Sequence, residues 1–339
     1  MRAAVYDKDN LFKIEKINKP ELVDNGAIIK VLGCGLCGSD IVKMKTYKLP
    51  SGTVLGHEVV GELVDLKKEL EDFTSGDLVP LGDHVPCFEC VFCKNHNYSM
   101  CKEFKKTNIL PGGFCEYIFV SDEHLKHTIT KVPQHTTLQE ASFMEPVACC
   151  IRAVKRACVK KGDNVFVIGL GSIGLLIGQI AKYYGAKVTG CDLKDERLEI
   201  ATEKGFDKVI HFESNEASAK KYKKITNDIG ADIVFLSAGA SSSVDFSINC
   251  VRDGGTILVF SSVASSDASF LNNEIYYREL TVLGSYSPSP DDLKEAMSLI
   301  ENGCINVKSM STVYELEDIN RAIKDTLQGD ILKAYIRIG

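Results

Sequence analysis

The stretch Val165-Phe-Val-Ile-Gly169-Leu-Gly171-Ser172-Ile173-Gly174 constrains the fold more than any other part of the chain. An apolar run that reads as a buried strand enters a glycine-rich turn and leaves it as helical sequence. Alone, G-x-G-x-x-G is a weak signal. Here an acidic residue, Asp192, ends the next strand-like run 18 positions after Gly174, which supplies the missing context. The glycines divide the work: Gly169 makes the tight turn, Gly171 lets backbone approach a pyrophosphate, and Gly174 lets helix and strand pack closely. Ser172 and Ile173 open the helix, whose unpaired N–H groups and dipole attract phosphate. The alternative, a glycine turn in an α/β core with no ligand, leaves the placed acid without a purpose. Asp192 suits ribose hydroxyls and repels a 2′-phosphate, so NAD is expected over NADP; Lys194 and Arg197 close behind it temper that preference.

The surrounding texture agrees. From residue 140 onward strands at 165–168, 187–192, 208–210, 233–235 and 256–260 alternate with helical stretches, among them 138–157, 196–204 and 243–250. That spacing means βαβ units and a doubly wound parallel sheet, the Rossmann arrangement. Before about residue 120 the runs are short, glycine-rich and alternating, as at 27–32, 59–64 and 116–120, which reads as an antiparallel β unit with few helices. After Ser287-Pro288-Ser289-Pro290 come helices at 291–301 and 316–328 and a last strand at 334–338. The expected domains are 1–148, 149–284, and a returning segment 285–339.

At 339 residues with 45% hydrophobic and 25% charged residues, the chain suits two ordinary globular domains. A net charge of −6 gives no footprint for nucleic acid or anionic lipid. The longest apolar run, 165–181, is broken by Ser172, Gln179 and four glycines and is short for a bilayer span. The first residues lack the apolar stretch of a signal peptide, so a cytoplasmic protein is expected. Thirteen cysteines, an odd number, then point to thiolate ligands rather than disulfides.

Four of them, Cys87, Cys90, Cys93 and Cys101, fall within fifteen residues of a segment with little periodicity. Four close sulfurs complete a tetrahedral site with no open position, and the metal supplies folding energy that such a lobe lacks. An iron–sulfur cluster is the rival; the single set without a Cys-Pro ending favours zinc. His84 and His96 nearby read as solvated loop residues.

A second set is spread wider: Gly35-Leu-Cys37-Gly-Ser39-Asp40, then Gly56-His57-Glu58, then Met144-Glu145-Pro146. Thiolate, imidazole and carboxylate suit zinc with one position left open, although Cys37 and His57 taken singly read equally well as core residues. Taken with the four-cysteine lobe, Gly112-Gly113-Phe-Cys-Glu116-Tyr117 and the nucleotide fingerprint, in that order, the chain resembles the zinc-containing medium-chain alcohol dehydrogenase superfamily. Within it, the polyol branch (sorbitol/L-iditol and threonine dehydrogenase-like) is the nearest. The resemblance implies a GroES-like catalytic domain built from both chain ends, with a Rossmann domain inserted. It implies two zinc ions per chain, one structural and one catalytic. Cys37, His57 and Glu58 hold the catalytic one, with Glu145 an exchangeable or water-linked fourth ligand. Zinc then acidifies the substrate hydroxyl, Ser39 passes its proton on, and the cofactor takes the hydride. Asp40 is expected to orient His57. A small alcohol or polyol is the expected partner, and a homodimer or homotetramer the expected assembly.

Several positions depart from the family. Val42 stands where many relatives carry a relay histidine, and Ser285 replaces an arginine that precedes the substrate-contacting tyrosine, here Tyr286. Cys34 and Cys37 form a second C-x-x-C; a thioredoxin-like pair is set aside because no helix-forming pattern follows. Cys149, one turn after Glu145, is a rival ligand that reads better as a buried thiol, and Cys115, Cys150, Cys158, Cys191, Cys250 and Cys304 are expected in the core. Lys43, Lys45 and Lys48 are either solvated charges or a recognition group for a phosphorylated sugar. A dehydrogenase of a simple or amino alcohol such as threonine, a zinc-free reductase of this fold and a non-catalytic zinc and nucleotide binder are the alternatives.

Overall fold

The computed structural model describes all residues except 8–10, 24, 47–48, 68–71, 240–241, 262–269 and 271. Its strands, in chain order, are β1 Arg2–Tyr6, β2 Phe12–Lys16, β3 Ala27–Leu36, β4 Glu58–Leu66, β5 Leu78–Pro80, β6 Tyr117–Val120 and β7 Asn164–Ile168. They continue with β8 Lys187–Asp192, β9 Lys208–His211, β10 Ala231–Leu236, β11 Val251–Val259, β12 Thr281–Gly284, β13 Thr312–Glu315 and β14 Ala334–Arg337. Two compact units divide the chain. One is Met1–Ala148 with Ser289–Gly303 and Val307–Gly339; the other is Cys149–Pro288 with Cys304–Asn306.

In the first unit the sheet runs β13-β14-β3-β4-β5, with β6 also paired to β3. It is antiparallel about β3, which has β14, β4 and β6 as partners and is buried along nearly its whole length. Its alternation is therefore weak, and the sequence showed only the first six residues of a ten-residue strand. Ile29, Leu63, Val79, Phe114 and Ile118 are fully buried in one core with Ala334 and Ile336 from the chain's end. That shared core ties both termini into the first unit. Gly33 is required by close packing, since a Cβ there would meet the Tyr335 hydroxyl at 1.9 Å.

In the second unit six strands run β12-β11-β10-β7-β8-β9, all pairs parallel. The first strand lies in the middle and the order reverses beside it, the doubly wound topology with its switch point next to β7. Strands buried on both faces become continuous apolar runs, which is why Val165 to Ile168 is so legible. Phe166 stacks on Tyr222 with ring centroids 4.1 Å apart and meets Phe246 edge-on at 5.7 Å. The stretch read as one helix over 138–157 is two, Leu138–Ala141 and Met144–Arg156. Thr137 and Glu140 close the first with a reciprocal capping box, fixing a start that apolar period alone does not reveal. No helix among the described residues is long and apolar enough to cross a membrane.

Candidate metal and cofactor sites

The β3–β4 register builds the first site. Gly35 pairs with Glu58, so Cys37, just past the end of β3, comes beside His57, just before the start of β4. Gly56 makes this approach possible: its φ is +94°, and a Cβ there would lie 3.0 Å from Phe114. The donor atoms of Cys37, His57 and Glu58 all fall within 4.8 Å of one another. Sulfur, nitrogen and oxygen at that spacing fit a zinc ion with a position to spare. Glu145, in the first turn of helix Met144–Arg156 and 8% exposed, is not part of that three-residue cluster. Neither is Cys149, which is half-buried.

Asp40 contacts two members of the cluster. It is fully buried and accepts the Cys37 N–H at 3.2 Å and the Gly56 N–H at 3.4 Å. Its Oδ1 lies 3.2 Å from His57 Nδ1. Engaging Nδ1 leaves Nε2 as the nitrogen available to a metal, as in a carboxylate–histidine–metal arrangement. Burial alone would lower the His57 pKa, but Asp40 outweighs it and holds it well above the ordinary imidazole value. Burial likewise opposes ionisation of Asp40, and His57 overrides it, leaving the carboxyl below its usual range. Ser39 is exposed, with Oγ 3.5 Å from His57 Nε2.

One member of the site escaped the sequence. Lys333 is only 6% exposed, and its Nζ lies 2.5 Å from Glu58 Oε2. Burial pulls its pKa down, yet Glu58 and Cys37 together raise it above the ordinary lysine value. Nothing in the local sequence marks a lysine before a short apolar strand. Only the pairing of β14 with β3 delivers it here.

The four-cysteine lobe forms the other cluster, with all donor atoms again within 4.8 Å. Cys87 and Cys101 sulfurs are 3.5 Å apart and Cys90 and Cys93 3.6 Å. Its apolar cluster consists of these cysteines with Phe104 and Tyr98, so the four thiols are themselves the core of the lobe. Burial raises the Cys93 thiol to about 12, whereas Cys101, despite burial, is lowered to about 6 by backbone N–H donors such as that of Cys87. Four thiols this close share protons until a dication replaces them.

In the second unit Gly169 has φ +89° and Gly171 is the N-cap of helix Ser172–Tyr183. A Cβ on Gly174 would meet the Gly169 carbonyl at 1.9 Å. Asp192 ends β8, and its carboxylate accepts the Leu170 N–H at 2.6 Å and the Lys194 N–H at 3.0 Å. It therefore braces the glycine turn. Arg197 approaches the same turn, with Nη1 3.2 Å from where a Gly171 Cβ would be.

Residues 23–134 match the family described as alcohol dehydrogenase GroES-like domain, and residues 172–302 the family described as zinc-binding dehydrogenase. D-arabitol-phosphate dehydrogenase of Enterococcus avium is 31% identical over 328 residues, covering 94% of this chain and 92% of that protein. Sorbitol dehydrogenase of Halalkalibacterium halodurans is 30% identical, over 96% of this chain and 95% of its own length. The chain belongs to the zinc-containing medium-chain alcohol dehydrogenase superfamily, in its polyol branch. Among solved structures, galactitol-1-phosphate dehydrogenase from Escherichia coli superposes with a TM-score of 0.87 at 25% identity, over 99% of this chain and 100% of that one. The chain is accordingly a zinc-dependent dehydrogenase with GroES-like and Rossmann parts.

Against this superfamily background several residues sit differently from expectation. A helix, Gly38–Thr46, does follow Cys37, so the absence of one is no argument against a redox pair. The argument that holds is burial: Cys34 is inaccessible, and burial with Asp40 and Glu58 nearby pushes its thiol well up. Cys158 and Cys304 are exposed rather than core. His84 is half-buried, its ring 4.9 Å from that of Phe104, rather than a solvated loop residue. Lys43 and Lys45, two residues apart on one helix, diverge. Lys43 acts electrostatically on Asp40, whereas Lys45 lines a groove with Ile323 and Lys324. Lys48 lies outside the described residues.

Proposed function

We propose that this dehydrogenase moves a hydride between the secondary alcohol of a polyol or sugar derivative and NAD. The observation that carries the reading is the convergence of Cys37, His57 and Glu58 with Asp40 behind the imidazole. Zinc held there supplies Lewis acidity that makes a substrate hydroxyl a better proton donor near neutral pH. The chain's own residues do the rest. Asp40 fixes the His57 ring so that Nε2 faces the metal position. Ser39, exposed beside that nitrogen, carries the substrate proton outward, and with Val42 in place of a relay histidine the proton leaves through water or the cofactor ribose. Glu145 is the exchangeable or water-linked fourth ligand. Asp192 and Arg197 receive the adenosine ribose, Asp192 giving NAD its advantage over NADP, while the N–H groups at Gly171, Ser172 and Ile173 take the pyrophosphate. Cys87, Cys90, Cys93 and Cys101 hold the second, structural zinc.

A sorbitol dehydrogenase, an arabitol-phosphate dehydrogenase and a probable D-xylulose reductase among the relatives support a polyol substrate. A phosphorylated polyol is the second reading, favoured by Lys43 lying on the Asp40 side of its helix and by the relative and the solved structure named as polyol-phosphate dehydrogenases. Lys43→Gln then lowers kcat/KM for arabitol phosphate and leaves arabitol unaffected.

Elemental analysis tests the core of the proposal. Two zinc ions per chain are expected in the intact protein. Cys37→Ser retains one, stays folded and loses turnover, whereas Cys90→Ser loses the other together with stability. A single zinc in the intact protein overturns the two-site assignment.

A further inference from the structure

Glu58 and Lys333 meet across β3. Glu58 comes from β4 and pairs with Gly35, while Lys333 precedes β14, whose Tyr335 pairs with that same Gly35 from the other side. The two side chains reach over the glycine toward each other. A Cβ on Gly35 would lie 1.9 Å from Glu58 Oε2 and 3.0 Å from Lys333 Cε, so any other residue at position 35 blocks the pair. Both side chains are almost wholly buried, at 6% and 1% exposure, and the Lys333 ammonium also donates to the Leu36 carbonyl at 3.4 Å. A lysine is buried only where it is paired, and here the pairing falls on one specific oxygen of Glu58.

We propose that Lys333 is a positioning residue that occupies Oε2 of Glu58, so that the carboxylate meets zinc through Oε1 alone and a coordination position stays open for substrate. A carboxylate with both oxygens free closes on a metal in bidentate fashion and fills that position. A lysine on Oε2 prevents this without removing the ligand's charge.

The inference rests on the reading of Cys37, His57 and Glu58 as the catalytic metal site, and the test separates the two. Cobalt(II) replaces zinc in the whole protein, and the visible spectrum of Cys37→Ser is subtracted to remove the four-cysteine contribution. The intact protein is expected to show the intense bands of a four-coordinate ion. In Lys333→Met those bands weaken as Glu58 supplies a fifth donor, metal content is unchanged, and kcat/KM with zinc falls roughly 10- to 100-fold, the usual effect of losing a ligand's supporting partner. Lys333→Arg restores the bands. Absence of any Cys37-dependent band in the intact protein overturns the site reading and this inference with it. Bands present in the intact protein and identical in Lys333→Met overturn this inference alone. If Lys333→Met does not fold, Glu58→Gln is compared with Glu58→Gln/Lys333→Met, in which both charges are gone. An amide binds through its one oxygen, so the two spectra should coincide, and a difference between them shows that Lys333 does not act through Glu58.

Discussion

Asp40→Asn separates orientation of His57 from support of the chain around it. The native carboxylate accepts from the Cys37 and Gly56 N–H groups and from the His57 side, all while fully buried. Asparagine keeps the size but turns one oxygen into a donor. If the amide nitrogen replaces Oδ2, the Cys37 N–H is orphaned; if it replaces Oδ1, the Gly56 N–H and His57 Nδ1 both face a donor. One orphaned buried donor costs about 1–3 kcal/mol, and the lost charge adds to it. The protein is therefore expected to fold with a stability loss of roughly 2–3 kcal/mol, measured by urea unfolding of zinc-loaded protein. Zinc at the Cys37 site weakens about 10- to 100-fold, since outer partners of a ligating histidine have that leverage. That is roughly 1.4–2.7 kcal/mol of binding free energy. Asp40→Ala, which abandons all three partners, loses about 3–5 kcal/mol. Competition with a chromophoric chelator reads the zinc affinity. Unchanged affinity in a folded Asp40→Asn protein would falsify the role assigned to Asp40.

Three further outcomes are expected. Gly178→Ala drives a Cβ to 1.9 Å from Phe206 Cζ in a packed core; overpacking costs about 1–3 kcal/mol, of which the helix-propensity gain returns up to about 1. Thermal melting should fall by up to several degrees with zinc content unchanged, and a raised Tm contradicts the close approach of Gly178 to Phe206. Asp192→Ala loses NAD affinity through both the ribose contact and the braced turn, and shifts relative use toward NADP; an intact enzyme with higher kcat/KM for NADP refutes the assignment. Burial raises the Asp207 and Asp232 carboxyls, but Lys182 and Arg252, with N–H groups of Val188 and Asn164, outweigh it and hold both below the usual range. Their stabilisation is thus complete above the unfolded value near about 4 and is lost as pH falls through the depressed folded values. Asp232→Asn should flatten the acid limb of a stability–pH curve, and an unchanged limb removes Asp232 from its cause.

The Rossmann half was legible because its strands are buried on both faces and bounded by glycines whose roles are local. Gly169, Gly171, Gly174 and Asp192 occupy the turn, helix start and strand end that their spacing implies. The four-cysteine lobe was legible because its thiols fall within one short segment, and Cys37, His57 and Glu58 because each sits in a short glycine-bearing motif that the β3–β4 register brings together. The GroES-like half was harder. Most of β3, the short β5 and the β1–β2 pair lack clean alternation, as strands with mixed or double-sided burial do. The helix after Cys37 hides its pattern because it starts in a Gly-Ser-Asp turn and ends in lysines. Lys333 illustrates the limit most sharply: 275 residues separate it from Glu58, and only sheet register brings them together. Lys43 and Lys45 show the same limit from the other side, because closeness in sequence does not make them point one way: Lys43 acts on Asp40 and Lys45 lines a groove with Lys324. On a helix, residues two apart point to different sides.

The most direct test of the central claim is NADH formation from a panel of polyols and polyol phosphates before chelation, after it, and after zinc is restored. The expected result is turnover with at least one polyol that disappears when the Cys37-site zinc is removed, returns with zinc, and stays absent throughout in Cys37→Ser. Turnover that survives complete removal of zinc, or no NAD reduction by any polyol in protein carrying two zinc ions, would contradict it.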